Sequence, residues 1–159
     1  MDPVRISFVC LGNICRSPTA EAVFLHLIER EGVADRFVVD SAGTGAYHAG
    51  ERAHPDSRQE ARRRGIEVRS ISRQFVRDDF AQFDLVLAMD TSNRADLERL
   101  APDREARAKV RLFRDYDPET PDGSSVPDPY YEGGFDGVYD ICEAAARGLL
   151  ESLRRDGSV

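Results

Sequence analysis

Cys10 and Arg16 bracket the five residues Leu11-Gly12-Asn13-Ile14-Cys15, and Ser17-Pro18 follow directly. A cysteine is a nucleophile as its thiolate, and a thiolate is favoured by a positive field. Arginine supplies a planar fork matched to two phosphate oxygens. The loop between them can curl so that successive backbone N–H groups point inward, as in a phosphate-binding nest. A helix opening near Pro18 adds unpaired N–H groups and the positive end of its dipole. The result is an anion cradle with a nucleophile at its floor, the arrangement that covalent phosphoryl transfer needs. Gly12 and Asn13 are residue types that tolerate the positive φ of a tight loop. Cys-x5-Arg alone is a weak signal in so arginine-rich a chain, and a strand–turn–helix corner with a buried cysteine is the plain alternative. The flanking context favours the cradle.

Cleaving a phosphate ester also needs a proton donor for the leaving oxygen. Val126-Pro127-Asp128-Pro129-Tyr130-Tyr131 offers one. Proline fixes its own φ and restricts its predecessor, so Asp128 is held stiffly. Tyr130 and Tyr131 can wall a slot for a flat aromatic leaving group. Read alone, the segment is equally a proline-bounded turn with a solvated aspartate.

These groups must be positioned by something. Strand and helix patterns alternate along the chain, which predicts a parallel α/β sheet. Strands are expected over residues 4–10, 37–40, 83–89 and 109–113. Helices are expected over 18–30 with Pro18 in first position, 55–64 closed by Gly65, 91–100 capped by Asp90, and 135–153. The fold class read from this is α/β, a three-layer sandwich with helices on both faces of a four-stranded sheet, in a single domain spanning 1–159. Residues 114–134 form a long Pro-, Asp- and Gly-rich loop, and loops of that length are usually functional. In a parallel sheet this loop leaves the same carboxyl edge as the Cys10 loop, where open α/β sheets bind ligands.

Composition narrows the function classes. The 159 residues are 41% hydrophobic and 32% charged, as in an ordinary globular domain. No apolar run reaches membrane-spanning length, and with a strand expected from residue 4 no leader is expected. Three cysteines argue for a reducing, cytoplasmic setting and against a disulfide framework. A net charge of −7 speaks against nucleic acid as a partner. His26, His48 and His54 show no metal-ligand spacing with the cysteines, and they read as solvated, with His48 beside Tyr47 placed to touch a substrate. Cys142 reads as a small buried hydrophobe, and Arg62-Arg63-Arg64 as a solvated helix face.

The two halves together resemble the low-molecular-weight protein tyrosine phosphatase family. The resemblance rests on 9–18, on Asp40-Ser41-Ala42-Gly43-Thr44, on Met89-Asp90 with Asn93, and on Asp128-Pro129-Tyr130-Tyr131. It implies hydrolysis of phosphotyrosine and small aryl phosphates, with Cys10 as nucleophile, Arg16 as phosphate and transition-state binder and Asp128 as general acid and base. It implies that Ser17 hydrogen-bonds the Cys10 thiolate. Asn13, in a strained conformation, and Ser41 would shape the loop, with Asp90 in support. Leu11, Gly12, Ile14, Tyr47, Tyr130 and Tyr131 would line the phosphotyrosine slot, with Cys15 as a redox partner for Cys10. No metal or organic cofactor is implied. The implied partners are phosphotyrosine proteins, a tyrosine kinase among them, acted on by a monomer or at most a weak dimer. One departure stands out. Many members carry a histidine a few residues before an Arg-Gln pair, and here Ser70 or Ser72 stands in its place.

Competing readings differ in their demands. Arsenate reductases of this fold relay a disulfide through two further cysteines beyond the third strand, which this chain lacks. Protein-arginine phosphatases tend to carry threonine where Ile14 stands. A non-catalytic phosphopeptide-binding module would have lost Cys10 or Asp128.

Overall fold

The computed structural model describes residues 2–132 and 134–159, the side chains of Tyr131 and Glu132 excepted. Four strands, β1 (Val4–Cys10), β2 (Phe37–Gly43), β3 (Leu85–Ala88) and β4 (Val110–Leu112), form one parallel sheet in the order β2-β1-β3-β4. The α/β expectation is met. The helices are α1 (Arg16–Arg30), α2 (Pro55–Arg63), α3 (Thr91–Leu100), α4 (Arg104–Ala108), α5 (Pro129–Glu132) and α6 (Phe135–Arg155). Chain order reverses at β1, which has β2 on one side and β3 on the other. The carboxyl ends of β1 and β3 therefore flank the crevice where ligands collect in open α/β sheets.

Alternation along β1 sends its side chains to two cores. Ile6, Phe8 and Cys10 face α1 and α6, where they join Phe24, Leu87, Cys142 and Leu149. Val9 faces the other way, toward Phe75, Phe80, Val86, Leu97 and Leu112. Helices thus cover both faces. Phe8 is fully buried and meets Phe113 edge-on at 5.1 Å. Burial of such a side chain stabilises the fold by roughly 1.5–3 kcal/mol. The same alternation puts Cys10 on the face from which α1 starts, so its sulfur can reach the first turn of that helix.

Several boundaries differ from expectation. The first helix begins at Arg16, not Pro18, with Cys15 as its N-cap. Pro18 is then the third helical residue, whose N–H would still be unpaired, so proline is tolerated there. β2 continues through Ser41 and Ala42 to Gly43, and β3 and β4 are shorter than their apolar runs. The long loop contains a 3-10 turn at Phe113–Tyr116 and the short α5. Arg64 is not merely solvated. It bonds Glu60, Asp140 and Glu143 and lies over the Tyr139 ring, tying the end of α2 to α6.

Candidate active site

The loop from β1 to α1 is held by hydrogen bonds to its carbonyl oxygens. Thr44 N donates to Cys10 O at 2.8 Å, Gly45 N to Leu11 O at 2.9 Å and His54 N to Ile14 O at 2.8 Å. Ser72 Oγ donates to Gly12 O at 2.9 Å. A trans peptide points its N–H opposite to its C=O. With these carbonyls turned outward, the N–H groups of Leu11, Gly12, Asn13 and Cys15 are turned toward the interior of the loop. Asn13 N indeed points at Cys10 Sγ, 3.3 Å away. The curl requires one left-handed residue, and that residue is Asn13 at φ 56°. Gly12 was expected to share this duty but does not; a Cβ there would sit 3.0 Å from the His48 ring.

Behind the loop lies a buried polar network. Asn13 Nδ2 donates to Ser17 Oγ at 2.7 Å and to Ser41 Oγ at 3.1 Å. Asn13 Oδ1 accepts from Arg73 N at 3.1 Å. Ser17 Oγ lies 3.0 Å from Cys10 Sγ. Of the two serines in the histidine's stead, Ser72 supports the loop through Gly12. Ser70 approaches the Glu21 carboxyl without a hydrogen bond of good geometry.

Arg16 is almost wholly buried and aimed by three groups. Its Nη1 donates to Asp90 Oδ2 at 2.7 Å and to Val126 O at 3.1 Å, and its Nη2 lies 3.6 Å from Asp128 Oδ2. Asp90 also caps α3 through Asn93 N at 2.7 Å. Val126 N donates to Met89 O at 2.8 Å, pinning the long loop to the end of β3 two residues before Asp128. Asp128 Oδ1 accepts from Tyr130 N at 3.0 Å, which orients the carboxyl at the start of α5. Burial alone would lower the Arg16 pKa, but the Cys10 sulfur, Asp90 and Asp128 raise it on balance. Burial foremost, then Cys10 and Asp128, pushes the Cys15 thiol up to about 12.

A cleft of about 390 Å³ opens over Cys10. Leu11, Gly12, Ile14, Cys15, Arg16, Tyr47, Asp128 and Tyr130 line it. Asn13, Ser17, Ser41 and Asp90 stand behind it as supports. The Tyr131 side chain lies outside the described residues. Sequence reasoning did not single out Glu21, Arg73 or the Val126 carbonyl, and it read His54 as solvated, whereas the ring is partly buried and accepts from Asp56 N at the start of α2. His48 and His54 flank the Tyr130 ring at 6.1 and 6.3 Å between ring centres, and His54 also caps α2. Among the described residues no group of three or more His, Cys, Asp or Glu side chains could hold a metal ion. No described helix is long and apolar enough to cross a membrane.

Chemically, the cleft can hold a tetrahedral oxyanion between backbone N–H groups and a guanidinium, with sulfur beneath and a carboxyl above. The family profile described as low molecular weight phosphotyrosine protein phosphatase matches residues 5–159. A low molecular weight protein-tyrosine-phosphatase of Streptomyces coelicolor is 46% identical over 153 residues, covering 94% of this chain and 93% of the relative. A protein tyrosine phosphatase from Entamoeba histolytica, solved with Hepes in the active site, superposes with a TM-score of 0.89 at 40% identity, covering 96% of this chain and 98% of that one. A Drosophila arginine phosphatase superposes with a TM-score of 0.86 at 30% identity, covering 94% and 97%.

Proposed function

The chain belongs to the low molecular weight phosphotyrosine protein phosphatase family, and on that basis we propose that it hydrolyses phosphotyrosine in proteins through a phosphocysteine intermediate. The observation that carries this reading is the convergence of Cys10 Sγ, Arg16 and Asp128 on one cleft, with Arg16 Nη2 and Asp128 Oδ2 only 3.6 Å apart. The Cys10 thiolate attacks phosphorus, forming the S–P bond as the P–O bond to the tyrosine breaks. Asp128 gives its proton to the departing phenolate oxygen. Asp128, now ionised, takes a proton from water, whose oxygen attacks phosphorus. The S–P bond breaks, the thiolate is restored and inorganic phosphate leaves. Arg16 and the loop N–H groups bind the equatorial oxygens throughout, and they act most strongly on the charge of the transition state.

Leu11, Ile14, Tyr47 and Tyr130 supply the apolar walls for the phenyl ring. Phosphoarginine is the second substrate to weigh, since an arginine phosphatase shares the fold. An apolar Ile14 offers the guanidinium no hydrogen-bond acceptor, which favours tyrosine. Cys15 also lines the cleft, so its sulfur can act as the resolving thiol once it gives up its proton. A Cys10 sulfenic acid would condense with it to a disulfide, releasing water. Phosphotyrosine proteins as partners, a cytoplasmic setting and action without metal belong to the same proposal. The test is turnover of a phosphotyrosine peptide, a phosphoarginine peptide and arsenate by one protein batch in the presence of chelator. Phosphotyrosine should be turned over fastest; preference for either other substrate would overturn the assignment.

A further inference from the structure

The turn after β4 grips the loop that carries Asp128. Arg114 lies in this turn, Phe113–Tyr116, which is itself fixed from below: Phe113 is fully buried and the Tyr116 carbonyl abuts Gly148 of α6. From there Arg114 Nη1 donates to Ser125 O at 2.8 Å. The neighbouring Asp115 accepts from Gly123 N at 2.8 Å. The Ser125 carbonyl shares a peptide plane with the Val126 N–H, and in a trans peptide the two point opposite ways. That N–H donates to Met89 O at 2.8 Å. One peptide plane is thus clamped at both edges, by Arg114 on one side and by the end of β3 on the other.

The clamp reaches Asp128 through stiff chain. Val126 and Asp128 each precede a proline, which disfavours the helical region for both, and Pro127 fixes its own φ between them. The next carbonyl, Val126 O, is held by Arg16 Nη1 at 3.1 Å. Few soft torsions remain between the clamped plane and the Asp128 carboxyl, so a tilt of the plane is passed on rather than absorbed. The Arg114 side chain is poorly arranged for stability alone. Its Nε is closed off from solvent without a hydrogen-bond partner, and no carboxylate pairs with the guanidinium among the described residues. A part-buried cation held by one carbonyl costs desolvation that an apolar side chain would not.

We propose that Arg114 is a positioning residue for the general acid: by fixing the Ser125–Val126 peptide against the end of β3, it sets the Asp128 carboxyl in the cleft beside Arg16. The inference rests on the reading of Asp128 as the acid.

The test compares Arg114→Met, which keeps the stem and loses the donor, with Arg114→Lys, which keeps the charge and a donor without the fork. kcat/KM is measured on aryl phosphates whose leaving groups run from an acidic nitrophenol to phenol, with Asp128 intact and in an Asp128→Asn background. With Asp128 intact, Arg114→Met should lower kcat/KM on phenyl phosphate about three- to tenfold, the worth of one hydrogen bond. The most acidic leaving group should be nearly unaffected, because it needs little protonation. In the Asp128→Asn background the same substitution should cost nothing further. Arg114→Lys should show a smaller loss with the same dependence, and it carries the comparison if the methionine variant fails to fold. An equal loss across leaving groups, or the same loss with Asp128 replaced, would overturn the proposal. Amide hydrogen exchange needs no turnover and separates this inference from the functional reading. Exchange at Val126 and Tyr130, whose N–H groups bond Met89 O and the Asp128 carboxyl, should quicken by a similar factor in Arg114→Met, while Thr44 and Gly45 beside the cradle keep their rates. A uniform loss in Asp128→Asn itself, or a wild type without phosphatase activity, would fail the functional reading and leave exchange to decide this one. Unchanged exchange at Val126 and Tyr130, or an equal rise at Thr44 and Gly45, would refute the positioning role.

Discussion

Arg16 Nη2 stands 3.6 Å from Asp128 Oδ2, although the two residues come from opposite ends of the chain. One belongs to the first turn of α1, the other to the loop after β4. Val126 makes the meeting possible by bonding both Met89 O and Arg16 Nη1. The pair joins the half of the cleft to which the proposal assigns phosphate binding with the half to which it assigns proton donation, so each half can be tested by substitution.

Cys10→Ser should abolish turnover while phosphate still binds, because a serine hydroxyl is not ionised near neutral pH. Arg16→Lys should also be severely impaired. A lysine point charge cannot replace a fork that spans Asp90, Val126 and the phosphate. Steady-state kinetics and isothermal titration with inorganic phosphate check both; appreciable activity in Cys10→Ser would sink the mechanism.

Asp128→Ala should slow turnover by roughly two to four orders of magnitude, the range of general acid catalysis. The loss should shrink as the leaving group becomes more acidic. A series of aryl phosphates measures this, and a uniform loss across the series would assign the acid elsewhere.

Peroxide should inactivate the wild-type protein reversibly, with dithiothreitol restoring activity. Cys15→Ser should recover poorly, because the Cys10 sulfenic acid has no neighbouring thiol and oxidises further. Equal recovery in both, with no Cys10–Cys15 link by mass spectrometry, would make Cys15 purely structural.

Gly148→Ala should destabilise the fold by about 1–3 kcal/mol, the usual cost of overpacking. A Cβ at this point of α6 would collide with the Tyr116 carbonyl oxygen. Urea denaturation reads the loss. Tyr116 lies away from the cleft, so kcat per folded molecule should hold; an unchanged urea midpoint would show that α6 can shift aside.

Glu21 should also tilt stability with pH. Its folded-state value of about 7 lies above its ordinary value of 4.5, so the native state holds the proton more tightly. Its stabilising contribution is full below the ordinary value and is lost as pH rises through the folded value. Glu21→Gln should flatten the fall in urea midpoint between these limits. An identical pH slope in the variant would contradict the shift.

Much of this was readable from local chemistry. The strand expected over residues 4–10 does end on Cys10. Asp90 caps α3 as its residue type and position suggested. Asn13 adopts the positive φ that asparagine tolerates. Errors gathered where tertiary contact overrides local preference: the helix starts at Arg16 because that residue and Ser17 are buried against the cradle, and Arg64 is drawn from solvent by carboxylates on α6.

Residue type and short-range spacing are sufficient for a nucleophile, an anion-binding fork and a helix N-terminus, because their relationships lie within a single turn or loop. The aim of Arg16 depends on Val126, 110 residues away, and the shape of the loop on Ser72 and Arg73, 60 residues away. The peptide between Ser125 and Val126 is gripped by Arg114, beyond β4, and by Met89, at the end of β3. Such contacts carry no periodicity or local motif, and they exist only once the sheet has set its strands side by side.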